Sequence, residues 1–138
     1  MYSFFLNRSS KRDVVNKLSV LPLQFSAEQK SAIVVSLLAL AKVDGFIPDK
    51  RFFYLERLLA LLKIEENSWL FKEIYNAGLE KSLTILRELW DNQKEWYVMM
   101  LYGLMRMDNK ASNRKEILQI CDEIGISKQR YQKITHRF

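Results

Sequence analysis

Apolar residues recur at helical spacing along most of the chain. In the segment 27–43 the apolar positions lie three or four residues apart, as on the buried face of a helix: Ala32, Val35, Leu38 or Ala39, and Val43. The preceding Ser26-Ala27-Glu28-Gln29 has the serine and glutamine of a capping box, which marks a helix start. No segment alternates apolar and polar residues as a half-buried strand does. The pattern therefore predicts an all-α protein.

The same spacing divides the rest of the chain into helices joined by short connections. Serine or asparagine caps and glycine stops mark most of the ends. We expect helices close to residues 10–18, 48–63, 67–78, 80–90, 94–107, 112–125 and 127–137. This makes a single compact bundle of seven to eight helices, packed around the helices at 27–43 and 94–107.

Two of these helices carry specific packing predictions. The segment 94–107 is apolar nearly all round, which is typical of a central core helix, and Gly103 within it indicates a close helix contact. The segment 48–63 is expected to bury one face, with the following apolar residues pointing inward: Phe52, Leu55, Leu58, Leu59 and Leu62.

The composition fits one globular domain. The chain has 138 residues, of which 49% are hydrophobic and 28% are charged, and this balance argues against disorder. We expect an N-terminal arm with a short helix at residues 1–25 and a helical domain at residues 26–138. No stretch has the ~18 uninterrupted apolar residues that a membrane span needs. The basic residues follow the apolar N-terminus, whereas in a signal peptide they precede it, so no signal peptide is expected. A single cysteine fits a reducing, cytoplasmic setting.

The residue types that most enzymes use for catalysis are scarce. The single Cys121 lies in an amphipathic run, where we expect it to be a small buried hydrophobic residue in a reducing compartment. The single His136 lies near the chain end, where frayed backbone positions a side chain poorly. The sequence therefore predicts no enzyme, and no cofactor apart from a divalent cation.

The net charge of +6 comes from the two ends of the chain. Residues 1–27 have four basic and one acidic residue, and residues 28–123 have fourteen basic and fifteen acidic residues. Residues 124–138 have four basic residues and no acid: Lys128, Arg130, Lys133 and Arg137. These four either form a solvated helix face or bind the phosphates of nucleic acid or of an anionic membrane surface.

Two segments, 40–49 and 104–113, share one pattern. Each ends an apolar helical stretch with an apolar-basic-apolar-Asp sequence, at Asp44 and at Asp108. A residue that tolerates left-handed backbone follows, first Gly45 and then Asn109, before a short loop and a new amphipathic run. The doubling predicts two pseudo-repeated helix-loop-helix halves.

The motif Ala-Lys-Val-Asp-Gly-Phe-Ile-Pro at 41–48, with its second copy at 107–112, resembles the TerB-like (tellurite-resistance) family. The resemblance covers roughly residues 26–136. It implies an all-α bundle of about seven helices and a role in tellurite or chemical-stress response. It also implies an acidic cluster for a divalent cation, with Asp44 and Asp108 matching the aspartates at the loop starts.

The expected glutamates of that cluster are replaced by basic residues. Arg51 follows Asp44 by seven residues, and Lys115 follows Asp108 by seven. Either Asp44, Asp49 and Asp108 pool their carboxylates into a weak cation site, or these aspartates only bond to backbone N–H groups and favour a helix N-terminus. A third interpretation pairs the two basic residues with Asp44 and Asp108, so that fixed positive charges replace the cation.

The leading functional hypothesis is a non-enzymatic interaction or stress-response module that binds a protein partner and has at most a weak or vestigial cation site. The alternative is a domain that binds nucleic acid or an anionic surface through the basic ends of the chain.

Overall fold

The computed structural model describes residues 24–43, 45–108 and 113–136. These residues form seven helices, which confirms the predicted all-α class. They are α1 (Ala27–Ala41), α2 (Asp49–Leu62), α3 (Trp69–Ala77), α4 (Leu79–Leu86), α5 (Asp91–Arg106), α6 (Arg114–Glu123) and α7 (Lys128–Thr135). The described ranges hold no strand, only an isolated antiparallel bridge between Val43 and Phe46.

Helix α1 lies at the centre of the bundle. It starts as predicted, because the backbone N–H of Gln29 donates to Ser26 Oγ and the N–H of Ser26 donates to Gln29 Oε1, both at 3.0 Å. Nine of its residues are buried, and it packs against α2, α3, α4 and α5. An apolar helix enclosed on several sides supplies the continuous core that a domain of this size requires.

Helix α5 is the second core helix, as the sequence predicts. Trp96, Tyr97 and Leu101 are fully buried in it. A Cβ atom placed on Gly103 would lie 2.5 Å from the hydroxyl oxygen of Tyr54 on α2, which confirms the close helix contact expected there. The same hydroxyl donates to the carbonyl oxygen of Met100 at 2.9 Å, so the missing side chain of Gly103 lets α2 bond directly to the backbone of α5.

The predicted inward face of α2 is wrong at one position. Phe52 is 48% exposed, whereas the neighbouring Arg51 has no exposed surface. Leu55, Leu58 and Leu62 are buried as expected, and Leu59 is partly buried. The helix therefore turns the stripe of Arg51, Tyr54 and Leu58 toward the core. Successive helical residues point about 100° apart, so burying Arg51 sends Phe52 outward.

Most helix ends follow the sequence signals. Ser68 Oγ accepts from Phe71 N at 3.2 Å and Ser127 Oγ accepts from Arg130 N at 3.1 Å. Gly78 ends α3 with a left-handed φ of 91°. The predicted cap Ser112 lies outside the described residues.

The N-terminal boundary of the packed domain includes the last residue of the predicted arm. Phe25 is buried and its ring lies 5.3 Å from that of Trp96. Residues 1–23, with the short helix expected at 10–18, lie outside the described residues.

Candidate functional site

A buried arginine occupies the junction between the end of α1 and the start of α2. Arg51 Nη1 donates to the carbonyl oxygens of Leu40 at 3.3 Å and Ala41 at 3.4 Å. These carbonyls belong to the last turn of α1, where a helix leaves acceptors without an intrahelical donor and carries partial negative charge. The guanidinium therefore caps the C-terminal end of α1.

The charge of Arg51 also connects the two halves of the chain. Burial lowers the pKa of the guanidinium below its usual value, and the negative charge of Asp108 acts in the opposite direction. A guanidinium remains protonated in proteins because its intrinsic pKa is so high. A permanent positive charge thus lies at the end of α1, which precedes the first loop, and it interacts electrostatically with Asp108, which begins the second loop.

Two of the three predicted metal ligands, Asp49 and Asp108, lie in the described part of the chain. Asp49 is exposed in the first turn of α2, and Asp108 is partly buried after α5. Asp44 lies outside the described residues. Within the described ranges, no group of three or more His, Cys, Asp or Glu side chains is placed to hold a metal ion.

The structure adds a partner for Arg51 that the charge-replacement hypothesis did not include. The sequence pairs Arg51 with Asp44 and Lys115 with Asp108, but the structure brings the charge of Arg51 to Asp108. Lys115 is exposed on α6. Any interaction of Arg51 with Asp44 stays a prediction.

The four basic residues predicted to form one surface at the chain end differ in their surroundings. Lys128 and Lys133 are exposed on α7, and Arg137 lies outside the described residues. Arg130 instead holds α7 against the start of α5. Its guanidinium lies 3.5 Å from Asp91 Oδ1 and 3.6 Å from Glu95 Oε2, and it donates to the Asp91 carbonyl at 3.2 Å.

Cys121 and His136 are the two residues that the sequence singled out as candidate catalytic groups. Cys121 is fully buried, as predicted, and burial raises the pKa of its thiol to about 12. A thiol with that pKa is protonated at neutral pH and a poor nucleophile. His136 is exposed at the end of α7.

Three phenylalanines that were not predicted to be exposed lie on the surface, and we call them the aromatic patch: Phe46, Phe52 and Phe53. Their side chains are 78%, 48% and 58% exposed, and the rings of Phe52 and Phe53 meet edge-on with centroids 6.4 Å apart. A signal was present, because two adjacent phenylalanines on a helix diverge by about 100° and are hard to bury on one narrow stripe.

A second unpredicted feature is a groove of about 360 Å³ between the end of α1, α4 and α6. We call it the α4–α6 groove. Its apolar surface comes from Leu40, Leu79, Leu83 and Ile120, and its polar edge includes Glu116 and Glu123.

Comparison of the chain with protein-family models, curated proteins and solved structures finds no match. The resemblance to the TerB-like family therefore rests on the loop motifs alone. Among the described helices, none combines the length and the hydropathy needed to cross a bilayer.

Proposed function

We propose that this protein is a non-enzymatic interaction module that binds a protein partner through the aromatic patch. The observation that carries the proposal is the exposure of Phe46, Phe52 and Phe53 around a single loop and helix start. Scattered exposed apolar residues are normal on any surface, but grouped aromatic side chains are typical of the centres of protein interfaces.

The backbone that carries the patch is held in place before any partner arrives. The N–H of Val43 donates to the Phe46 carbonyl at 2.6 Å, and the N–H of Phe46 donates to the Val43 carbonyl at 3.0 Å. Pro48 then fixes one backbone angle just before α2, and Arg51 ties α2 to α1. A preorganised surface loses less conformational entropy on binding.

The patch has enough apolar area to support binding. Full burial of one phenylalanine side chain contributes roughly 1.5–3 kcal/mol. Phe52 and Phe53 are already about half covered, so the three side chains together contribute less than three times that value. Their burial offsets a part of the several kcal/mol of lost translational and rotational freedom that association costs.

The buried Arg51 supports a cation-free form of the proposal. Its guanidinium supplies a positive charge near Asp108, at the junction where the family resemblance implies a divalent ion. A resident metal is then unnecessary for holding the two halves together. The tellurite or chemical-stress role rests on the resemblance alone.

The alternative function, binding of nucleic acid or an anionic surface, has less support. Arg130, one of its four basic residues, already pairs with Asp91 and Glu95. Lys128 and Lys133 remain exposed in the described part of α7. A mobility shift with random DNA or RNA at low salt, abolished by Lys128→Ala with Lys133→Ala, would favour this alternative.

Site-specific photocrosslinking tests the aromatic patch. The photoreactive residue p-benzoylphenylalanine replaces Phe53 in one protein and Trp69 in a control, because Trp69 is 76% exposed but starts a different helix, α3. We expect a discrete protein adduct in source-cell extract from position 53, and none from position 69. Adding Phe52→Ser should abolish the adduct. Equal labelling from both positions would refute a specific docking surface.

A further inference from the structure

The α4–α6 groove combines an apolar floor with an acidic edge. We propose that it is a second docking site, which binds a segment of a partner protein that carries an aliphatic side chain next to a lysine or arginine. The aliphatic side chain packs on Leu79 and Leu83, and the basic group lies near Glu116 and Glu123. This site is separate from the aromatic patch and does not depend on it.

The apolar floor comes from three helices. Leu79 and Leu83 lie one turn apart on the same side of α4, and Leu79 is 36% exposed while Leu83 is buried. Leu40 of α1 and Ile120 of α6 complete the surface. Covering the exposed part of Leu79 removes apolar area from water, which favours an apolar ligand group.

The acidic edge runs along one side of α6. Glu116, Ile120 and Glu123 lie at positions i, i+4 and i+7, which places them on one face of the helix. Both glutamates are exposed, and neither forms an ion pair with another described residue. Arg87 reaches this region, but it donates its Nε–H to the Glu123 carbonyl at 2.9 Å. Lys42 is the one positive charge among the lining residues.

A hydrogen-bond acceptor without a donor lies in the same groove. The Oδ1 atom of Asn113 is buried and accepts no hydrogen bond from another residue of the described ranges. A buried acceptor of this kind costs free energy until a donor reaches it. Lysine and arginine side chains carry only donors, so they suit Asn113, Glu116 and Glu123 together.

The charge and the size of the groove restrict its occupant further. Two carboxylates on one edge repel phosphate groups, which argues against nucleic acid or an anionic membrane at this face. A volume of about 360 Å³ accommodates a few side chains but not a whole helix, whose diameter with side chains is roughly 10–12 Å. A short peptide segment with one basic and one or two aliphatic side chains fits both limits.

Peptide selection on the full chain tests the proposal without a known partner. A phage library of 12-residue peptides is panned on the wild-type protein and counter-selected on a Glu116→Gln, Glu123→Gln double variant. We expect enriched peptides to place Lys or Arg within about one helical turn of Leu, Ile or Met. A synthetic peptide of the enriched sequence should bind the double variant roughly fivefold to thirtyfold more weakly than wild type.

Two further variants separate the contributions. A Glu28→Gln, Glu73→Gln double variant removes two exposed glutamates from α1 and α3 and should bind like wild type. Leu79→Ser should weaken binding. Because Leu79 is only 36% exposed, the melting temperature of this variant is measured in parallel, and binding is compared at a temperature where both proteins are folded.

Several outcomes would overturn the proposal. One is enrichment of acidic or uncharged peptides. Another is equal binding of the selected peptide to wild type and to the Glu116→Gln, Glu123→Gln variant. The third is that a synthetic peptide spanning residues 1–23 of this chain binds more tightly than the selected peptide. The last result would assign the groove to the protein's own N-terminal segment. Variants of the aromatic patch should bind the selected peptide normally, so failure at one site is distinguishable from failure at the other.

Discussion

Replacing Arg51 with methionine should destabilise the protein strongly. Methionine keeps an unbranched apolar stem but removes the charge and the donors. The change leaves the Leu40 and Ala41 carbonyls without the Nη1 donor, and it removes the positive charge near Asp108. Breaking a buried charge interaction by deleting one partner costs about 3–5 kcal/mol. The two carbonyl contacts are long, which favours the lower end of that range.

The assay is urea denaturation followed by tryptophan fluorescence and far-UV circular dichroism. We expect the free energy of unfolding to fall by about 3 kcal/mol in Arg51→Met, and the melting temperature to fall by roughly 10 °C for a domain of this size. Arg51→Lys keeps the charge but loses the planar fork, so its loss should be intermediate.

A matched control and a double-mutant cycle show whether the mechanism is the one described. Lys115→Met removes a charge from an exposed position and should change the free energy of unfolding by less than about 0.5 kcal/mol. Asp108→Asn combined with Arg51→Met should cost less than the sum of the two single changes, because both remove one interaction. A loss below about 1 kcal/mol in Arg51→Met, or strict additivity with Asp108→Asn, would refute the reasoning.

Four further predictions concern the core and the cation site. Gly103→Ala should lower the free energy of unfolding by about 1–3 kcal/mol in urea titrations, because its Cβ would meet the Tyr54 hydroxyl. Ser36→Ala should lower the free energy of unfolding by about 1–3 kcal/mol in the same assay, because Ser36 Oγ lies 2.6 Å from the buried Tyr97 hydroxyl. The control Thr84→Ala, which removes a hydroxyl from an exposed position, should lower it less. Burial raises the pKa of the Cys121 thiol from an ordinary value of 9.0 to about 12. The stability that the neutral thiol contributes is therefore complete below pH 9 and is lost as the pH rises toward 12. Over that range the free energy of unfolding should fall more in wild type than in Cys121→Ala. Finally, Ca²⁺, Mg²⁺ and Zn²⁺ should leave the melting temperature unchanged, whereas a rise that Asp44→Asn abolishes would show that a cation binds there.

The helix starts after Ser26, Ser68 and Ser127 were predictable because their causes are local. Two other boundaries were wrong, since α4 ends at Leu86 instead of near residue 90 and α5 begins at Asp91 instead of near residue 94. The capping box at Ser26 and the serine caps at Ser68 and Ser127 each involve residues only three positions apart. The burial of the 94–107 segment followed from its apolar residues on all sides. Such signals need no knowledge of the rest of the chain.

The register of α2 was not predictable from its own sequence. Two stripes compete on this helix, one through Arg51, Tyr54 and Leu58 and the other through Phe52 and Leu59. Hydrophobicity alone favours burial of the second stripe, because it carries Phe52 where the first carries Arg51. The choice depends on distant groups, since Arg51 reaches carbonyls of α1 and the charge of Asp108, while Tyr54 bonds to Met100 on α5. The α4–α6 groove was likewise hidden, because it brings together residues from three separate helices.

The burial of Arg51 and the exposure of Phe52 and Phe53 both follow from the orientation of α2 about its own axis. Turning Arg51 inward satisfies the end of α1, and the 100° step per residue then places Phe52 and Phe53 outside the core. A hydrophobic residue at position 51 would remove the reason for this register, because Phe52 would then compete to be buried. Arg51→Lys, which keeps the charge, should therefore leave Phe52 and Phe53 as exposed to hydroxyl-radical footprinting as in wild type. Protection of Phe52 in Arg51→Met, but not in Arg51→Lys, would show that the charge sets the register and thereby presents the patch.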